Sequence, residues 1–211
     1  MKEKLYTIPL NDAVNAMDEC PFCNIERKIE QDMMDFVLGS GSSYMESDVR
    51  EQTDKAGFCR MHFKKMYDYG NTLGNAWIMK THMKEMIFEM KKAMAQHKPN
   101  PTGGLFRKKT ESGMNSVSKW VQDKEKSCYI CNQFRDHYER YMDTFFELYK
   151  KDAAFKEKIQ NGKGFCIPHF GDLCEAAESR LKEKEQEEFF TVLFELMEHN
   201  MNRLYEDDAW L

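Results

Sequence analysis

The chain has 211 residues, a net charge of −5, 32% charged residues and 41% hydrophobic ones, enough to bury a sizeable core as one domain or two small ones. The slightly acidic balance gives no general attraction to nucleic acid or to an anionic membrane. No window approaches the ~18 uncharged apolar residues of a membrane span, and no apolar run follows the two lysines between Met1 and Leu10, so neither a span nor an export signal is expected.

The first ten residues read as an irregular arm. Asn11 and Asp12 are N-cap candidates for a short helix to about Glu19. Cys20-Pro-Phe-Cys23 interrupts the pattern. Ile25, Ile29, Met33, Phe36 and Val37 then recur at helical spacing from Asn24 to Leu38. Gly39 to Ser43 is a loop, and a helix over about Met45 to Ala56 ends at Gly57, which suits a left-handed terminal position. Helical pattern resumes after Cys59 and meets a kink or break at Gly70 to Gly74. From Trp77 to about His97 a stripe of Met79, Met83, Met86, Ile87, Met90 and Met94 predicts a long helix with these residues in the core. Pro99 to Gly104 is the strongest breaker and predicts a linker over 99–112 between halves 1–98 and 113–211. The basic run Arg107 to Lys109 reads as solvated charge.

The second half follows the same plan. A short helix runs from Asn115 to Lys124. Phe134, Tyr138, Tyr141, Met142, Phe145 and Tyr149 share one helical face. Short helices follow at Lys150 to Gln160 and from Cys166 to Leu181, and a long one at Glu185 to Tyr205. No alternating strand pattern of useful length occurs. The predicted fold is all-α, two tandem copies of a helical unit, each organised around one Cys-x-x-Cys and one Cys-x-x-His.

Those motifs carry the chemistry. Cys20, Cys23, Cys59 and His62 recur as Cys128, Cys131, Cys166 and His169, and the gap between the two motifs differs by one residue between the halves. Zinc takes four tetrahedral donors, commonly thiolate and imidazole. Cys-x-x-Cys supplies two sulfurs to one ion, and Cys-x-x-His at a helix start supplies two donors one turn apart on one face. Pro168 supports a helix start there. A helix start also lowers the pKa of a thiol beside it. The working grouping is within each half, Cys20, Cys23, Cys59 and His62 on one zinc and Cys128, Cys131, Cys166 and His169 on the other, but spacing leaves open whether ligands instead cross between the halves. Arg60, Lys64 and Lys163 flank these residues and could offset the negative charge of three thiolates. Structural zinc contributes about 10–16 kcal/mol in small finger peptides, against a typical domain stability of about 5–15 kcal/mol. Cys174 has no counterpart in the first half and reads as a buried thiol. His82, His97, His137 and His199 lack a ligand motif and read as surface or core residues.

Cys20-Pro-Phe-Cys23 and Gly57-Phe-Cys-Arg-Met-His-Phe63, with Asp48-Val-Arg-Glu51 between them, resemble a bacterial family of unknown function found chiefly in Gram-positive anaerobes and their relatives. Its members resemble this chain in carrying Cys-Pro-x-Cys, an Asp-x-x-Val-Arg segment and Gly-Phe-Cys-x-x-His, with a related second half. Here the second half departs from that pattern, with Tyr129 after Cys128 and Phe155-Lys-Glu157 in place of Val-Arg-Glu. The resemblance implies no activity.

Three functional readings remain. Closed four-ligand sites leave no open coordination position, which points away from an enzyme and toward a zinc-stabilised scaffold for a protein or small-molecule partner. A thiol redox switch could use the Cys-x-x-Cys pairs, although the thioredoxin-like βαβ setting is missing. An iron–sulfur protein with Cys₃His ligation would be coloured. The expected compartment is the cytoplasm, where seven cysteines favour metal or redox chemistry over structural disulfides.

Overall fold

A computed structural model describes residues 5–41, 43–98 and 114–209; the expected linker at 99–112 lies outside them. They form ten α-helices and one short 3₁₀ turn, Ser43–Met45, with no strand among them. The first five are α1 (Thr7–Asn15), α2 (Pro21–Leu38), α3 (Ser47–Ala56), α4 (Arg60–Asp68) and α5 (Thr72–Ala95). The second five are α6 (Ser116–Glu125), α7 (Tyr129–Lys151), α8 (Ala153–Gln160), α9 (Ile167–Arg180) and α10 (Glu183–Asp208). No helix among the described residues is long and apolar enough to cross a membrane.

Several helix limits differ from the sequence expectation, each for a local reason. The expected arm already contains α1, because Leu10 is fully buried; Asn11 caps nothing and instead donates its Nδ2–H to the Thr7 carbonyl. Helix α2 starts at Pro21, not Asn24, since proline is tolerated in a first turn. Helix α5 starts at Thr72, where the Asn71 side chain accepts from the Gly74 N–H. The break before α8 falls at Asp152, whose Oδ1 accepts from the N–H groups of Ala154 and Phe155.

The described chain gathers into two compact units, residues 1–30 with 134–211 and residues 31–133. These cut across the expected halves 1–98 and 113–211. The first unit packs around Phe145, whose ring lies 5.2 to 6.4 Å from those of Phe22, Phe146, Phe155, Phe165 and Phe189. The second packs Val37, Leu38, Phe58, Met66 and Ile78 with Tyr129 and Ile130.

The methionine stripe of α5 is not core. Met83, Ile87, Met90 and Met94 are exposed, while Gly74, Ile78, His82 and Ala93 are buried. Hydrogen bonds select that inner face. His82 Nδ1 pairs with the Asp54 carbonyl at 2.8 Å, and Thr81 donates to Asp54 at 2.5 Å. Trp120 Nε1–H donates to Glu89 at 3.1 Å.

Candidate metal centres

Each of the four motifs sits at a helix start. Cys20 and Cys128 immediately precede α2 and α7, and Cys23 and Cys131 lie in their first turns. Cys59 and Cys166 are the N-cap residues of α4 and α9, with φ/ψ of −71°/164° and −68°/159°, and His62 and His169 follow in the first turns. The glycine before each Gly-Phe-Cys cysteine makes this geometry. Gly57 and Gly164 adopt φ of 63° and 83°, which L side chains disfavour. A Cβ on Gly57 would lie 2.5 Å from Cε1 of His82, and one on Gly164 would lie 3.3 Å from Sδ of Met197. The turn drives Phe58 and Phe165 into the two cores and presents the cysteine at the next helix start.

The eight expected donors form two groups of four, and these cross between the halves. Cys20 and Cys23 join Cys166 and His169, and Cys128 and Cys131 join Cys59 and His62; in each group the donor atoms all lie within 4.8 Å of one another. Sequence spacing sets each local pair; the side chains inside the knuckles decide which pairs meet. Phe22, fully buried, packs against Tyr138, Phe145 and Phe165 of the second half. Ile130, also fully buried, and Tyr129 join the core of Phe58 and Met66, and the Tyr129 N–H donates to the Gly57 carbonyl at 2.8 Å. Of the two groupings that spacing leaves open, the structure has the crossed one: each group draws one motif from each half.

In the first group, His169 Nδ1 lies 3.3, 3.5 and 3.0 Å from the sulfurs of Cys20, Cys23 and Cys166, and Cys23 Sγ lies 3.6 Å from Cys166 Sγ. In the second, His62 Nδ1 lies 3.2, 3.2 and 3.4 Å from Cys59, Cys128 and Cys131, and Cys59 Sγ lies 3.9 Å from Cys131 Sγ. Cys20, Cys128, His62 and His169 are buried, and the other four donors are partly exposed. These Cys₃His groups can each hold a metal ion. Two helix starts aim their N–H groups at each, which favours the anionic thiolates.

The electrostatics of the metal-free sites follow from this packing. Burial opposes ionisation of Cys20, but the His169 side chain and the backbone N–H groups of Cys166 and Cys23 outweigh it and bring the thiol down to about 6. Burial likewise disfavours the charged form of His169, yet Cys20 and Glu26 overcome it and raise the imidazole to about 9. Cys23 and Cys131 are each pushed up to about 12 by burial and by their neighbouring sulfurs. Cys59 is held below the ordinary thiol value: burial works against this, while the backbone N–H of His62 and the Cys128 and Cys131 thiols prevail.

Sequence reasoning missed Glu26. Its Oε1 lies 3.2 Å from Nε2 of His169, one helical turn beyond Cys23; the Cys23-x-x-Glu26 spacing was the available signal. A carboxylate on the second imidazole nitrogen is a common outer partner of metal-binding histidines. Tyr138 and Phe22 pack their rings 6.0 and 5.7 Å from that of His169, and the Tyr138 hydroxyl donates to Asp172 at 2.7 Å. Of the flanking cations, Lys64 is exposed and paired with Asp68 at 2.6 Å. Lys163 lies 3.5 Å from Glu19. His82 and His137 are engaged elsewhere, with the Asp54 carbonyl and the Tyr6 hydroxyl, and His97 and His199 are exposed. Cys174, expected to be buried, is half-buried.

No curated protein and no solved structure matches the chain. The profile of one family, described as a family of unknown function (DUF6062), matches residues 1–211, and the chain belongs to that family.

Proposed function

We propose that both groups hold zinc, and that the protein is a zinc-stabilised helical scaffold that binds another protein or a small molecule. The observation that carries this reading is the convergence of three sulfurs and one imidazole nitrogen on a single point in each unit. A tetrahedral zinc with bonds of ~2.3 Å to sulfur and ~2.05 Å to nitrogen separates its sulfurs by about 3.8 Å and sulfur from nitrogen by about 3.6 Å. The sulfur pairs at 3.6 and 3.9 Å match that edge, and the sulfur–nitrogen contacts are slightly tighter. In an iron–sulfur cluster the thiolates bind different irons and point outward from the cluster, which spreads the donors more widely than these. Four protein donors leave no coordination position for water or substrate, so the ion serves as a clasp between helix starts. Three thiolates also require a reducing setting such as the cytoplasm.

Elemental analysis of protein purified without chelator should find two zinc ions per chain. Cys59→Ala and Cys166→Ala should each lower this to one. The double variant Cys23→Ala/Cys166→Ala should retain one ion, and Cys23→Ala/Cys59→Ala should retain none; grouping within each half gives the opposite result. Iron with visible absorbance would assign an iron–sulfur protein instead, and metal-free native protein would remove the reading.

A further inference from the structure

A cavity of about 540 Å³ opens against the first ion site, bordered by Cys20, Cys23 and Cys166. Ile167 of α9 and Met197, Met201 and Leu204 of α10 also line it. Ile167, Met201 and Leu204 are 62%, 48% and 39% exposed, an apolar wall open to solvent. The charged groups at its rim offset one another: Arg27 lies 3.7 Å from Asp18, and Lys163 lies 3.5 Å from Glu19. The volume is that of a small-molecule pocket, and its lining suits a neutral, largely apolar occupant. What such an occupant meets is a pair of partly exposed sulfurs, Cys23 and Cys166, 3.6 Å apart and contributed by different motifs.

We propose that this cavity admits organic hydroperoxides, which oxidise Cys23 and Cys166 to a disulfide and open the first clasp. One thiolate attacks the terminal peroxide oxygen. The O–O bond breaks, the alkoxide leaves and takes a proton from solvent to become the alcohol, and the attacking sulfur becomes a sulfenic acid. The second thiolate attacks that sulfur. The S–S bond forms as the S–O bond breaks, and the departing hydroxide is protonated to water. Two thiolates have given two electrons to one hydroperoxide, yielding one alcohol and one water with two protons from solvent. Only Cys20 and His169 then remain as donors, too few to retain an ion that four had held. Release of the ion rests on the zinc reading above; the disulfide and the oxidant preference rest on the cavity and the sulfur pair alone.

The test uses the full chain, with metal counted before any oxidant is added. Stoichiometric cumene hydroperoxide or hydrogen peroxide is then supplied, metal release is followed with a chromophoric chelator, and the linkage is mapped by mass spectrometry. The expected result is loss of one ion, a Cys23–Cys166 disulfide, and a rate at least tenfold higher with cumene hydroperoxide. Met201→Asp and Leu204→Asp, at exposed positions that leave folding intact, should remove that preference. A Cys20–Cys23 linkage, no disulfide, or equal rates with the two oxidants in the native protein would overturn the proposal. Metal-free protein that still forms Cys23–Cys166 with the organic preference would sink the zinc reading and leave this one standing.

Discussion

Glu26 fixes how His169 is used. With its carboxylate on Nε2, the imidazole keeps that N–H and leaves Nδ1 facing the three sulfurs. Glu26→Ala should weaken metal binding at the first site by about 10–100-fold, read by chelator competition. The second site should be unaffected, because the residue three beyond Cys131 is Phe134. Protons set a further dependence. His169 at about 9 and Cys23 at about 12 both hold a proton at pH 7 in metal-free protein, and both must lose it to bind. Zinc added at pH 7 in weak buffer should therefore release at least two protons from this site. Affinity should fall at least about 100-fold for each pH unit between pH 9 and the Cys20 value of about 6, since at least two protons compete with one ion, and more steeply below it; a pH-independent affinity would contradict the assignment of ligands. The eight residues that the structure gathers into two groups could be named from sequence because the motif spacing is that of a single helical turn. Glu26 was not, because one acid among 36 Asp and Glu residues gains meaning only once α2 is known to start at Pro21.

At the level of elements, helical periodicity located the helices but not always their inner faces. Helix α5 is the clearest case. Its apolar residues extend around much of its circumference, so the stripe of methionines and Ile87 looked like core. The buried side is instead the one on which His82 and Thr81 reach Asp54, a choice made by partners distant in sequence. This has a measurable consequence. Ile78→Ala, at a buried position, should cost about 2–5 kcal/mol in denaturant unfolding. Ile87→Lys, on the exposed side, should stay within about 0.5 kcal/mol; equal losses would return the stripe to the core. Helix starts were legible at Pro168 and at the Asn115 cap, and missed at Pro21 and at the Asn71 cap, so the residue type alone does not mark them.

For the molecule as a whole, motif order was legible and motif partnership was not. Two chemically equivalent Cys-x-x-Cys pairs face two equivalent Cys-x-x-His pairs, and spacing alone does not choose between the possible matches. Phe22 and Ile130 make the choice through the cores they enter. As a result the ligands of the first site are separated by up to 149 residues and those of the second by up to 72. Each doubling of a closed loop changes its closure entropy by only about 0.6 kcal/mol, so the longer span would add little to the stability gained from a bound ion. Its effect is on timing. As the chain leaves the ribosome, the second group of donors is complete once Cys131 has emerged, whereas Cys20 and Cys23 wait for Cys166 and His169, the donors that the folded unit sets beside them. Until His169 is made, those two thiols lack their folded-state neighbours and are open to mispairing with Cys59 and His62.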